Sequence, residues 1–260
     1  MARRLVRARH TGRPSGEMLT RLVSACGLLL IWQIGATLAD SRLLPSFTTV
    51  LAALERETAS GALPSNLAIT MARVTAAFIL SLTIGCALGI AMGRWRRLDL
   101  VLDTLVTTMM NLPALVLIIL IYVWFGLNEV SAIAAVALNK LPSTVITLRE
   151  GARTLDPRLD EMAMSFAMPR WRALRHVILP QLAPYVFTAA RSGLALTWKI
   201  VLVVELLGRS NGVGFQIQVY FQLFDVTLIL AYTLALLAVV QAIEWAVLQP
   251  LERWATRWRG

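Results

Sequence analysis

The chain has 260 residues, of which 57% are hydrophobic and only 15% charged. An ordinary soluble domain carries about 25% charged residues, and four stretches here (22–39, 74–93, 104–128 and 226–243) hold no charge at all, so a water-soluble globular domain is excluded. The net charge of +10 is no sign of nucleic-acid binding, because the basic residues lie between the apolar runs, where they set membrane topology.

A helix crosses a hydrocarbon core of about 30 Å with roughly 20 apolar residues. Barrel strands would alternate apolar and polar residues. These runs are continuous, so the predicted fold is an all-α integral membrane protein.

In chain order, residues 1–21 form a basic tail with Arg3, Arg4, Arg7, Arg9, Arg13 and Arg21. The first span is predicted at 22–39. With its small-residue end "TLAD" this start imitates a secretory signal peptide, but the spans that follow favour a retained helix. Pro45 opens an amphipathic segment, 45–60. Val50, Leu51 and Leu54 share one face there, with Glu55, Arg56 and Glu57 behind.

Span 2 is predicted at 67–93, a basic turn "RWRRLD" at 94–99 and span 3 at 100–122. Asn111 and Pro113 in the middle of span 3 predict a kink. Span 4, 129–148, is interrupted by Lys140 and Pro142. Span 5, 183–206, carries Arg191, Lys199 and Glu205, and a Gly-rich loop follows at 208–218. Span 6 covers 226–248, and the closing "LERWATRWRG" mixes Arg and Trp as an interface anchor does. The organisation is thus a basic tail, 1–21, and one domain of six transmembrane helices, 22–260.

Eighteen Lys and Arg residues fall in the tails and in the 94–99 and 149–181 segments, against four on the opposite side. The positive-inside rule then puts both termini and the 149–181 loop in the cytoplasm.

That loop is long and punctuated. Asp156 is a helix N-cap and Pro157 suits the first helical position. A helix from 157 to 166 would align Leu159, Met162 and Phe166 on one face. Pro169 restarts a helix with Trp171, Leu174 and Ile178 on one side and Arg170, Arg172 and Arg175 on the other, and Pro180 is expected to end it. A docking element and an interfacial amphipathic helix both fit this pattern.

The chain offers no catalytic dyad and no metal-ligand spacing. Neither lysine lies in G-x-x-x-x-G-K-[ST]. Cys26 and Cys86 sit inside apolar runs and make no disulfide framework.

"EMAMSFAMPRWRALRHVILP" resembles the coupling-loop motif of bacterial ABC importer permeases: E-A-A, three residues, G, nine residues, I, one residue, L-P. Glu161, Met162 and Ala163 stand at E-A-A, Ala167 at the Gly, and Val177, Leu179 and Pro180 at I-x-L-P. The segments "LPSNLAITMARVTAAFILSLTIGCALGIAMG", "MMNLPALVLIILIYVWFGL" and "ALTWKIVLVVELLGRSNGVGFQI" are similar to the nitrate/sulfonate/taurine-type subfamily.

The resemblance implies a transport subunit, not an enzyme, in the bacterial inner membrane. It would work by alternating access with a second permease copy, cytoplasmic ABC ATPase subunits that bind the ATP and Mg, and a periplasmic solute-binding protein. It implies no cofactor on this chain. It also assigns coupling to Glu161, Ala163, Phe166, Ala167, Arg170, Arg172, Leu179 and Pro180. A Gly at the position of Ala167 normally supplies a positive φ, at which alanine costs about 1 kcal/mol or more.

Intramembrane charges are functional candidates by default, so Lys140, Arg191, Lys199 and Glu205 are pathway candidates, with Asn111 beside its proline. Cationic side chains in a pathway suit an anionic solute. Competing structural roles are a snorkelling Arg191, a Lys199–Glu244 pair, and a Glu205–Arg209 contact at i, i+4 that fixes an outer gate. The solute expected first is a sulfonate or taurine. Nitrate, bicarbonate, an aromatic carboxylate or a thiamine-precursor pyrimidine are alternatives within the family. An ion-coupled secondary transporter would show an internal repeat, which is not evident.

Overall fold

A computed structural model describes residues 14–39, 41 and 43–248, and every regular element among them is helical. Residues 1–13 of the tail, Arg42 and the closing Arg–Trp segment lie outside the described residues. Helix α1 (Pro14–Ala39) runs back into the stretch assigned to the tail. Helix α2 (Phe47–Ala59) is capped by Ser46, whose hydroxyl accepts from the Thr49 amide. It buries Val50 and Ala53 against Ala231, with Leu54 beside them, while Leu51 is half exposed. Of the expected face, Val50 and Leu54 pack inward and Leu51 does not, because the buried stripe follows i, i+3, i+4 and consecutive residues do not share a helix face.

The core is made by three long helices: α3 (Ala62–Arg94), α6 (Glu129–Arg153) and α9 (Leu179–Gly208). Along α3, Gly85, Gly89 and Gly93 face α6 so closely that an added Cβ would lie 2.5 to 2.6 Å from Thr144, the Val145 carbonyl or Ala152. Small residues four apart let two membrane helices approach by their backbones, which is where packing energy comes from when lipid is as apolar as leucine. Val74, Ala77, Ala132, Ala135, Val136, Trp198 and Val201 fill the junction of the three helices.

Helices α4 (Arg96–Asn111) and α5 (Ala114–Phe125) meet at 103° around Leu112 and Pro113, the site of the expected kink. Helix α6, by contrast, continues through Pro142, where an interruption was expected. Packing against α3 and α9 overrides the one backbone bond that proline removes. Beyond α9 the predicted loop 208–218 is short, because α10 (Val213–Gln222) begins within it; α11 (Val226–Ile243) follows and ends in a wide turn, Glu244–Leu248.

Among the described residues, Ala62–Arg94, Glu129–Arg153 and Val226–Ala246 are long and apolar enough to cross a membrane, and α4 with α5 would make a fourth span. Large apolar side chains such as Leu38, Val101 and Val123 point outward, as lipid-facing residues do.

Between α6 and α9 stand α7 (Pro157–Ser165), α8 (Arg170–Ala173) and a π-helical turn, Leu174–Ile178, that runs directly into α9. Pro180 therefore does not end the helix. The Leu179 amide reaches back to the Leu174 carbonyl, and this wider turn lets the chain stay helical where a proline ring would crowd an α-helical carbonyl.

Candidate functional site

The two ends of α6 carry different chemistry. At the Arg153 end the α7–α8 segment forms a knuckle with a rigid root and an exposed tip. Asp156 caps α7 through the Arg158 amide (2.9 Å), and Gln181 accepts from the Asp156 amide (3.0 Å), tying the root to α9. Leu182, Ala152 and Ile178 pack beneath it.

The turn after α7 is a Schellman closure, with the Met168 amide on the Ala163 carbonyl and the Ala167 amide on the Met164 carbonyl, both 2.9 Å. Ala167 takes φ +45°. The positive φ expected of a glycine is therefore kept, and alanine bears its strain.

Of the residues assigned to coupling, Glu161, Phe166, Arg172, Leu179 and Pro180 are exposed, Phe166 at 77%. Arg170 opens α8. Ala163 is buried, so it packs the knuckle from inside rather than presenting a contact surface. Met164 and Trp171 extend the exposed apolar tip.

Behind the knuckle an ion cluster joins α4 to α6. Arg149 contacts Asp103 and Asp99, and Arg153 reaches Asp99 at 2.6 Å.

At the Glu129 end a buried ion cluster closes the bundle. The Glu205 carboxylate accepts from Arg73 Nη1 (2.8 Å), from Thr70 Oγ1 (2.9 Å) and from the Gly214 amide (2.9 Å). Arg73 also grips Glu129 through Nε and Nη2 and donates to the Asn211 carbonyl (2.9 Å). Arg209 completes the group by pairing with Glu129 (2.7 Å). Two cations thus face two carboxylates, and Glu205 and Arg73 are 0% and 3% exposed.

The loop closes over the carboxylate through its glycines. A Cβ on Gly212 would lie 2.5 Å from the Glu205 carboxyl group, and one on Gly214 would be 2.8 Å from Glu205 Cβ. Asn66 accepts from the Gly212 amide (2.7 Å), and Thr70 from that of Val213 (2.9 Å). The cluster locks α3, α6, α9 and the start of α10 together.

This corrects the expected Glu205–Arg209 pair. Arg209 reaches Glu205 only through a backbone bond (3.2 Å), and its side chain turns to Glu129 and the Leu127 carbonyl. Arg73, inside predicted span 2 and not singled out as a candidate from the sequence, is the centre of the cluster.

The other pathway candidates are dispersed. Lys140 is buried in the middle of α6, with Nζ donating to Ser143 Oγ at 2.6 Å and Gly193 of α9 packed against its methylenes. Arg191 approaches Glu244 at 3.5 Å, taking the carboxylate expected for Lys199, and Lys199 is exposed. Asn111 is exposed and donates to the Thr107 carbonyl at 2.9 Å, capping the end of α4 rather than lining a midplane site. The structure brings none of the five together.

The family described as "Binding-protein-dependent transport system inner membrane component" matches residues 81–247, well over half of the chain. A protein named for aliphatic sulfonates transport, the permease SsuC of Bacillus subtilis (strain 168), is 29% identical over 96% of this chain and 91% of its own length. Its namesake from Escherichia coli (strain K12) is 32% identical over 73% of each chain. Further relatives, at 27 to 30% identity, carry names for taurine, riboflavin and bicarbonate transport. A solved chain of an amino acid ABC transporter with histidines shares the fold at a TM-score of 0.53, with 20% identity over 78% of this chain and 95% of that one. The chain thus belongs to the inner membrane components of binding-protein-dependent transport systems, the permeases of ABC importers.

Proposed function

We propose that this chain is the membrane-spanning subunit of an ATP-driven importer for a small organic anion, a sulfonate or taurine-like solute first. In this reading α1, α3, the bent pair α4–α5, α6, α9 and α11 are six spans. Both termini and the knuckle lie in the cytoplasm, and the Arg73–Glu205 cluster lies on the outer side.

The observation that carries the reading is the knuckle: a capped, rooted two-helix projection whose tip exposes Phe166, Met164 and Trp171. An exposed apolar tip on a rigid stem is costly in water unless something covers it. A groove on a separate ATPase would cover it and, when it moves, would drag α9 as one rod through the unbroken 170–208 helix. Glu161 and Arg172 would form the polar rim of that contact. A second permease copy completes the pathway, a periplasmic binding protein delivers solute, and ATP and Mg reside on the ATPase.

The relatives named for bicarbonate and riboflavin keep a second reading open, with the same machine and another solute. Reconstitution in proteoliposomes tests the mechanism. Uptake is expected to require both ATP and the ATPase, and Glu161→Ala to abolish solute-stimulated hydrolysis. Uptake by this chain alone, driven by an ion gradient, would establish a secondary carrier instead.

A further inference from the structure

Among the described residues three charged side chains are buried: Arg73, Glu205 and Lys140. The first two neutralise each other at 2.8 Å. Lys140, 4% exposed, has no carboxylate within ion-pairing distance among the described residues; its ammonium donates only to the Ser143 hydroxyl. It stands near the middle of the 25-residue α6, about 16 Å from one end and about 20 Å from the other at 1.5 Å per residue.

An isolated cation at that depth of a membrane is costly, and such groups are kept where they face a partner or a substrate. The space around it is built to keep it. A Cβ on Gly193 would come within 2.9 Å of Lys140 Cε, so the glycine gives the lysine side chain room beside α9. Ser143 returns its own proton to the Lys140 carbonyl at 3.0 Å and turns a lone pair to the ammonium.

We infer that Lys140, with the Ser143 hydroxyl, is the point at which the permease recognises the anionic head of its solute. The ammonium, held by the Ser143 hydroxyl, keeps two further N–H donors for a compact oxyanion, a sulfonate or carboxylate, and supplies the counter-charge relationship that the protein leaves incomplete. Of the other cations named in the spans, Arg191 faces Glu244 and Lys199 is exposed. This inference rests on the anion-importer reading.

The test uses the whole importer in proteoliposomes: this chain, its ATPase and its binding protein, after mass spectrometry of the solute that the binding protein carries. A neutral or cationic solute would overturn the anion reading itself, and the inference with it. With an anionic solute, Lys140→Met is expected to lower uptake at least tenfold, and Lys140→Arg to retain more uptake than Lys140→Met. A packing role predicts the reverse order, since methionine fits the apolar space better than the bulkier guanidinium. Equal uptake by wild type and Lys140→Met, or methionine outperforming arginine, would overturn the inference and leave the importer intact. If neither variant assembles with the ATPase, Ser143→Ala decides. Uptake lowered several-fold supports the site, and wild-type uptake overturns it.

Discussion

The two ends of α6 solve opposite problems with similar residues. At the Glu129 end, two arginines are matched with two glutamates, Arg73 and Glu205 buried and Glu129 at the rim, with a loop amide and a threonine hydroxyl filling the remaining acceptor positions of Glu205. At the Arg153 end, charges and aromatic groups are turned outward, and the buried atoms only hold the stem. Burial makes every missing partner expensive, so the first end resists change. The second leaves its tip uncovered, which under the proposed function is where a separate ATPase would hold the chain. A transporter driven by a separate motor needs both: an end that holds the helices in register and an end that can be gripped.

Breaking the inward end should have the largest effect on stability. Arg73→Met leaves the fully buried Glu205 carboxylate without its cation, and removing one partner of a buried pair costs about 3–5 kcal/mol. Thermal melting of the purified chain in detergent is expected to show the loss, and Glu205→Gln, which removes the charge but keeps hydrogen-bonding atoms, should lose less. If both variants melt like wild type, the cluster does not hold the bundle together.

Gly212→Ala comes next. Gly212 sits at φ +102° and ψ 168°, a region essentially confined to glycine, and strain there is of order 1–3 kcal/mol before any clash with Glu205. The same melting experiment checks it, with Gly61→Ala as comparison, a glycine at positive φ with open space around it.

The smallest effect belongs to the outward end and has the opposite sign. Ala167→Gly relieves the positive φ and is expected to stabilise the knuckle by about 1 kcal/mol. Hydrogen exchange of the 157–168 amides should slow. Unchanged or faster exchange would mean that the turn carries no strain.

The contrast also explains what the sequence made legible. The knuckle is local. Asp156 and Pro157 announce its start, Pro169 its restart, and the strain at Ala167 follows from a turn whose residues are adjacent. Pro180 misled because a proline reads as a stop only when the preceding turn is α-helical, and here it is wide.

The buried cluster is not local. Thr70 and Arg73 meet Glu205 across 135 and 132 residues, and no pattern along the chain joins them. Arg73 lies one residue before the charge-free stretch of α3 and within predicted span 2, yet the count of basic residues took it for a topology signal of the outer side. "RSNGVG" was readable as a turn, but not as a lid on a carboxylate. The Gly85, Gly89 and Gly93 spacing was in plain view and marked the α3–α6 contact, yet only a known partner helix shows what the spacing is for.

The measurement that bears most directly on the gripped end is the affinity of the importer's ATPase for this chain in nanodiscs, with and without Phe166→Asp. The Phe166 side chain is 77% exposed, so folding should be unchanged within about 0.5 kcal/mol. The account predicts normal melting together with at least tenfold weaker ATPase binding. An ATPase that binds the variant as tightly as wild type would show that the knuckle is not what the motor holds.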